Sequence, residues 1–216
     1  ATEKLRRLHP HGNYQLFNAP MLREFIQHHY GNEVLAAFDK LKPYAFKADL
    51  GRLCLVHQFG GLYADLPTKM NTPLQISTDV KALLFRDFNL GLPYGWGVQN
   101  SFFYSERGAP FLSKAIELIL ENCRQEEYTL TPFSISGPGL FGRALAILGD
   151  QTGYIYGERI PLTPLHPQKN FAFVLPDGNI LAFAKQKGHG GDLTPYGETH
   201  GNNYMKMWKA RDVYAH

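Results

Sequence analysis

Asp49, Arg52, Tyr63 and Asp65 lie close together in this chain, and Asn100 and Ser101 add an amide and a hydroxyl farther on. Carboxylates accept hydrogen bonds from neighbouring hydroxyls and hold cations. A guanidinium forks onto phosphate oxygens. Such a set suits a ligand that carries both a sugar and a phosphate. The spacing of Asp49 and Arg52 equally suits an i, i+3 ion pair on one helix, and that reading stays open beside the first.

The elements that must position these groups are legible between residues 45 and 66. Leu50, Leu53, Cys54 and His57 recur at helical spacing. Gly60 and Gly61 stop that helix where a left-handed residue is easiest to accommodate. Leu62-Tyr63-Ala64 then forms a short strand that ends on Asp65. The spacing places Asp49 and Arg52 on the first turn of the helix and Asp65 at the C-terminal edge of a sheet, where open α/β sheets bind ligands.

Elsewhere, helices are predicted over 20–30, 33–41, 110–122 and 142–148, and strands over 83–85 and 98–104. Segments 171–175 and 180–184 flank Pro176-Asp177-Gly178-Asn179 as a hairpin. Residues 90–97 read as a loop bordering a pocket, and Ser136-Gly137-Pro138-Gly139 as a turn leading into a helix. Alternating strands and helices without a linker predict one α/β domain over residues 1–216, with a central mixed sheet flanked by helices.

Composition narrows the function. Of the 216 residues 44% are hydrophobic and 19% charged, as in ordinary globular proteins. A formal charge of +3, with Lys and Arg scattered, suits small anionic ligands and is no nucleic-acid footprint. Cys54 and Cys123 make no disulfide framework, and Cys54 reads as a small core residue. No apolar run reaches membrane-spanning length, so a soluble, cytoplasmic catalytic domain is the expectation.

Lys47-Ala48-Asp49-Leu50-Gly51-Arg52 and Gly60-Gly61-Leu62-Tyr63-Ala64-Asp65-Leu66-Pro67 resemble the core of the DXD-type sugar-transferase family of GT-A glycosyltransferases. That family includes initiating mannosyltransferases and capsular and viral enzymes. The segment is similar, more distantly, to the core of the clostridial glucosylating toxins. Asn13 to Phe17, Asn100 to Tyr104 with Gly108 to Leu112, and Ser136 to Leu140 agree in order. One departure stands inside the motif, where Pro67 replaces its second aspartate.

The resemblance implies a GT-A-like (Rossmann-like) fold and transfer of a hexose or deoxyhexose from a nucleoside diphosphate sugar to a glycan hydroxyl in glycan biosynthesis. UDP is the expected carrier. It further implies donor contacts from Asp49, Arg52, Tyr63, Asp65 and Asn100, with Arg52 and Asp65 in catalytic roles. Residues 199–208 resemble the family's closing element, which puts Lys206 and Trp208 at the donor phosphates and His200 or Asn203 on a metal. Departure of a diphosphate calls for positive charge, commonly Mn²⁺ or Mg²⁺ on carboxylates. Asp65 and His200 are the expected ligands, and Pro67 leaves room for a side-chain cation such as Lys206 to take part of that role. Asp192 and Glu198 are the acidic groups available to activate an acceptor hydroxyl, and the glycine loop 187–192 could close over the donor. A second reading, supported by Pro67, is a non-catalytic nucleotide-sugar or glycan-binding module.

Overall fold

The structure is a computed structural model, and it describes residues 2–87, 96–166, 169–184 and 203–216. Helices α1 (Thr2–Leu8), α2 (Ala19–Lys40) and α3 (Tyr44–Phe59) precede strands β1 (Gly61–Ala64), β2 (Lys69–Met70), β3 (Ala82–Asp87) and β4 (Phe102–Ser105). Next come α4 (Pro110–Gln125), a 3₁₀ turn (Pro132–Ser134) and α5 (Pro138–Leu148). Strands β5 (Tyr154–His166), β6 (Lys169–Val174) and β7 (Ile180–Ala184) and helix α6 (Tyr204–Lys209) complete the described chain.

The sheet has the order β1-β4-β3-β5-β6-β7-β2. Only β3 and β5 pair in parallel, so the sheet is mixed, as expected. Its two faces follow from the period of two along a strand. On β3, Ala82 and Leu84 join the core beneath the helices, whereas Leu83 and Phe85 join Phe102, Phe173 and Leu181 on the other face. Leu5 and Leu8 of α1 cover that second face.

Helix α3 is central to the first core. Leu50, Leu53 and Cys54 are fully buried, and each leucine contributes about 1.5–3 kcal/mol by leaving water. The helix begins at Tyr44 behind Pro43, which caps it in an extended conformation. Asp49 and Arg52 therefore lie beyond the first turn, not on it. Gly60 ends the helix at φ 69°, and a Cβ there would sit 2.8 Å from the Arg107 amide nitrogen. Only glycine meets both demands.

Several boundaries differ from the sequence expectation. The two helices expected over 20–30 and 33–41 do form within α2 and meet at Gly31, whose backbone (φ 74°, ψ −167°) is not helical. Helix α5 starts four residues early because Pro138 opens its first turn. The strand expected from residue 98 begins at Phe102. The Ser101 amide donates to the Gln99 side chain, which takes it out of the ladder. The hairpin of β6 and β7 forms where predicted. No described helix is long and apolar enough to cross a membrane.

Candidate functional site

Strand directions bring the polar residues together. β4 runs antiparallel to both β1 and β3, so β1 and β3 point the same way. Asp65 follows the end of β1, Asp87 ends β3, and Asn100 and Ser101 precede the oppositely directed β4. All four reach the same edge of the sheet. Helix α3 leans over that edge and adds Asp49 and Arg52.

The result is one hydrogen-bonded cluster. Asn100 Nδ2 donates to Asp49 Oδ1 at 2.9 Å, and Ser136 Oγ donates to Asp49 Oδ2 at 2.8 Å. Arg52 lies 3.3 Å from Asp49 and 3.4 Å from Asp65. It also donates to the carbonyls of Ala48 (3.1 Å) and Asn100 (3.0 Å). Tyr63 donates its hydroxyl to Asp65 Oδ1 at 2.8 Å, and its ring lies 4.9 Å below the guanidinium. Asp49 and Arg52 form the i, i+3 ion pair that the spacing allowed, and both belong to this cluster.

Electrostatics follow from burial. Loss of water pushes the Asp49 carboxyl up to about 6, against the pull of Arg52, Ser136 and Asn100. Burial works against the Arg52 charge, but Asp65, Tyr63 and Asp49 outweigh it and raise the guanidinium pKa. Burial likewise holds the Tyr63 phenol protonated, opposed by Arg52 and reinforced by Asp65. Arg52 is thus a permanent cation between two carboxylates, and Asp65 keeps about a third of its side chain open to solvent.

Three groups that sequence reasoning missed belong to the same edge. Ser136, read only as part of a turn, is fully buried against Asp49. Asp87 and Arg159 form a buried ion pair at 2.8 Å, directly opposite each other on β3 and β5. Tyr204, on α6, has its phenol pushed up to about 12 by burial and by Asp49, with Arg159 opposing. Nothing in the local sequence distinguishes these residues, because their partners are 70 or more positions away.

Residues drawn from the C-terminal resemblance divide. Trp208 donates its indole N–H to the Tyr128 carbonyl at 3.0 Å and packs on the helical core. Lys206 is exposed on α6, and its amide donates to Asn203 Oδ1 at 3.0 Å, so Asn203 is a helix cap. Tyr204 is the α6 residue that senses Asp49. Asp192, Glu198, His200, the glycine loop 187–192 and most of the loop 90–97 lie outside the described residues.

The described groups do not fit a divalent ion. Such an ion takes several oxygen ligands, whereas no three His, Cys, Asp or Glu residues converge among the described residues. Asp65 is a lone carboxylate with Arg52 against it, and Pro67 offers no ligand. A groove of about 1220 Å³ opens beside Arg52, Tyr63 and Asp65 and runs between β1 and residues 12–19.

No curated protein matches the chain. The solved structure of a PaToxG glycosyltransferase is similar at 17% identity and a TM-score of 0.42, over 58% of this chain and 39% of that one. The present chain therefore corresponds to less than half of that protein, and the likeness is too loose to carry an argument. Residues 1–83, which hold α1 to α3, β1 and β2 with Asp49, Arg52, Tyr63 and Asp65, are similar to the family described as glycosyltransferase sugar-binding region containing DXD motif.

Proposed function

We propose that this chain is the catalytic domain of a glycosyltransferase that moves a hexose or deoxyhexose from a nucleoside diphosphate sugar, with UDP as carrier, to a glycan hydroxyl. The observation that supports it is the cluster of Asp49, Arg52, Asp65 and Asn100 at one sheet edge, the first three inside the segment that matches the sugar-binding family. Asp49 and Asn100 hold donor hydroxyls, and the open oxygen of Asp65 faces the ribose or the sugar. Arg52 is a positioning residue: its four acceptors fix Asp49, Asp65 and the 100 carbonyl in place. Its positive charge also lowers the energy of a leaving diphosphate.

The proposal does not depend on a divalent ion, which the described residues do not fit. Titration of UDP, GDP and CMP by calorimetry, each with Mn²⁺ and then with EDTA, is the test. UDP binding that persists in EDTA and is lost in Asp65→Ala supports a site built on side chains. UDP binding only with Mn²⁺ supports a metal site completed by residues beyond the described set. No nucleotide binding under either condition overturns the reading.

Pro67 supports a second reading, a nucleotide-sugar or glycan-binding module without turnover. Tight UDP-sugar binding with neither transfer nor slow donor hydrolysis would favour it.

A further inference from the structure

Toward the C-terminal end of α3, away from Asp49, three side chains outside the candidate site form a hydrogen-bonded chain. His57 follows Asp49 by eight residues, about 12 Å along the helix axis. Tyr30 reaches it from α2 and Ser113 from α4. The Tyr30 hydroxyl lies 2.8 Å from the Cys54 carbonyl and 2.8 Å from His57 Nδ1, and Ser113 Oγ lies 2.9 Å from His57 Nε2. Three helices supply one residue each, so the chain exists only in the folded protein.

The proton positions follow from what each atom can do. A carbonyl oxygen only accepts, so the single Tyr30 proton lies toward the Cys54 carbonyl. Burial raises the Tyr30 pKa, and the phenol keeps that proton. The Tyr30 oxygen then accepts from His57, which puts the imidazole proton on Nδ1. Burial lowers the His57 pKa below its ordinary value of 6.5, so the ring is neutral at neutral pH. Nε2 is left with a lone pair, and the Ser113 hydroxyl donates to it.

A histidine that merely tied α3 to α4 would serve in either tautomer. The Cys54 carbonyl selects the one that makes Nε2 a base toward Ser113. A hydroxyl, a base within hydrogen-bond reach and a third group that orients the base are the parts of an activated nucleophile. Ser113 is exposed while His57 is half-buried, so the hydroxyl is open to a reagent and the base is held behind it. Ser113 is also the fourth residue of α4, at the positive end of a 16-residue helix, which favours negative charge developing beside it.

We propose that Ser113 is a nucleophilic hydroxyl, activated by His57, that takes an acyl group from an activated ester. Ser113 Oγ forms the bond to the acyl carbon as its proton passes to His57 Nε2. The bond from that carbon to the leaving oxygen then breaks, and Nε2 returns the proton to the departing alkoxide. The products are an O-acylserine and a free alcohol, with His57 neutral again. Tyr30 is a positioning residue, since it touches only the base. The proposal is independent of the sugar donor.

The test is acetylation of the full chain by p-nitrophenyl acetate, followed residue by residue by peptide mass spectrometry. Ser113 should be acetylated, and His57→Gln should slow it about 10²-fold or more. Acetylation of the other serines should be unchanged in that variant, which shows that the fold is kept. Nitrogen-15 NMR of the His57 ring reads the tautomer with no substitution at all, and the wild type should carry its proton on Nδ1. Tyr30→Phe should move the proton toward Nε2 and slow Ser113 with it. No Ser113 adduct at millimolar ester overturns the proposal. So do equal Ser113 rates with and without His57, or a wild-type ring protonated on Nε2.

Discussion

Two buried aspartate–arginine pairs stand at the same edge of the sheet, built on different plans. Asp87 and Arg159 face each other across β3 and β5 at 2.8 Å, with Arg159 also 3.5 Å over the Phe171 ring. Asp49 and Arg52 share one helix at 3.3 Å, and Arg52 also faces Asp65 at 3.4 Å, while Asn100 and Ser136 supply donors to Asp49. Burial lowers the Arg159 pKa against the pull of Asp87, whereas around Arg52 the surplus of negative charge raises it. A buried pair that bridges two neighbouring strands holds them together. A cation shared by two carboxylates, one of them open, has capacity left for a ligand.

Breaking the sealed pair should have the largest effect on stability. Arg159→Met leaves Asp87 buried without its cation and should cost about 3–5 kcal/mol. Urea denaturation checks this, and the double variant Asp87→Leu with Arg159→Met should recover most of the loss. A loss under 1 kcal/mol in the single variant would mean the pair is not structural.

In the shared cluster, the largest effect should fall on activity. Asp65→Ala should lower turnover of a UDP-sugar, by transfer or slow hydrolysis, about 10²-fold or more. The melting temperature should move little, because the side chain is partly open. Unchanged turnover would remove Asp65 from the site.

The third difference is in pH. The Asp49 carboxyl titrates near 6 in the folded protein, above its ordinary value of 3.8. The folded state therefore binds the extra proton in that interval. Stability should fall as pH rises from about 4 to about 6 and should flatten above it. In Asp49→Asn that component of the slope should vanish, as denaturant midpoints across pH 4 to 7 would show. If the two proteins have equal slopes, Asp49 is ionised throughout.

Smallest is Tyr63→Phe, which removes one hydrogen bond to Asp65 and should cost about 1 kcal/mol. Because Arg52 still holds Asp65, affinity for UDP should fall by less than it does in Asp65→Ala. An equal fall would make the phenol itself a donor contact.

Legibility in the sequence follows the same division. Asp49, Arg52, Tyr63 and Asp65 were readable because a helix, a glycine turn and a short strand place them by local geometry. Asn100 was readable beside its strand, though the strand starts later than its apolar pattern implies, since Gln99 diverts the Ser101 amide. Ser136, Asp87, Arg159 and Tyr204 were not readable as site residues. Each reaches the edge through a crossover or a strand pairing, and such long-range register leaves no periodic trace. Trp208 was placed by resemblance to the family's closing element, and its indole N–H donates to the Tyr128 carbonyl.

By itself, the sequence determined the local units: the amphipathic α3, its stop at Gly60, the strand ending on Asp65, the hairpin of β6 and β7, and the loss of a carboxylate at Pro67. These depend on spacing and backbone freedom within a few residues. Tertiary structure alone decided which polar groups share an environment. Strand order set Asp65, Asp87 and Asn100 on one edge, and burial then gave Asp49 and Arg52 their charge states. Desolvation and backbone pairing depend on neighbours distant in the chain, and only the assembled sheet supplies them.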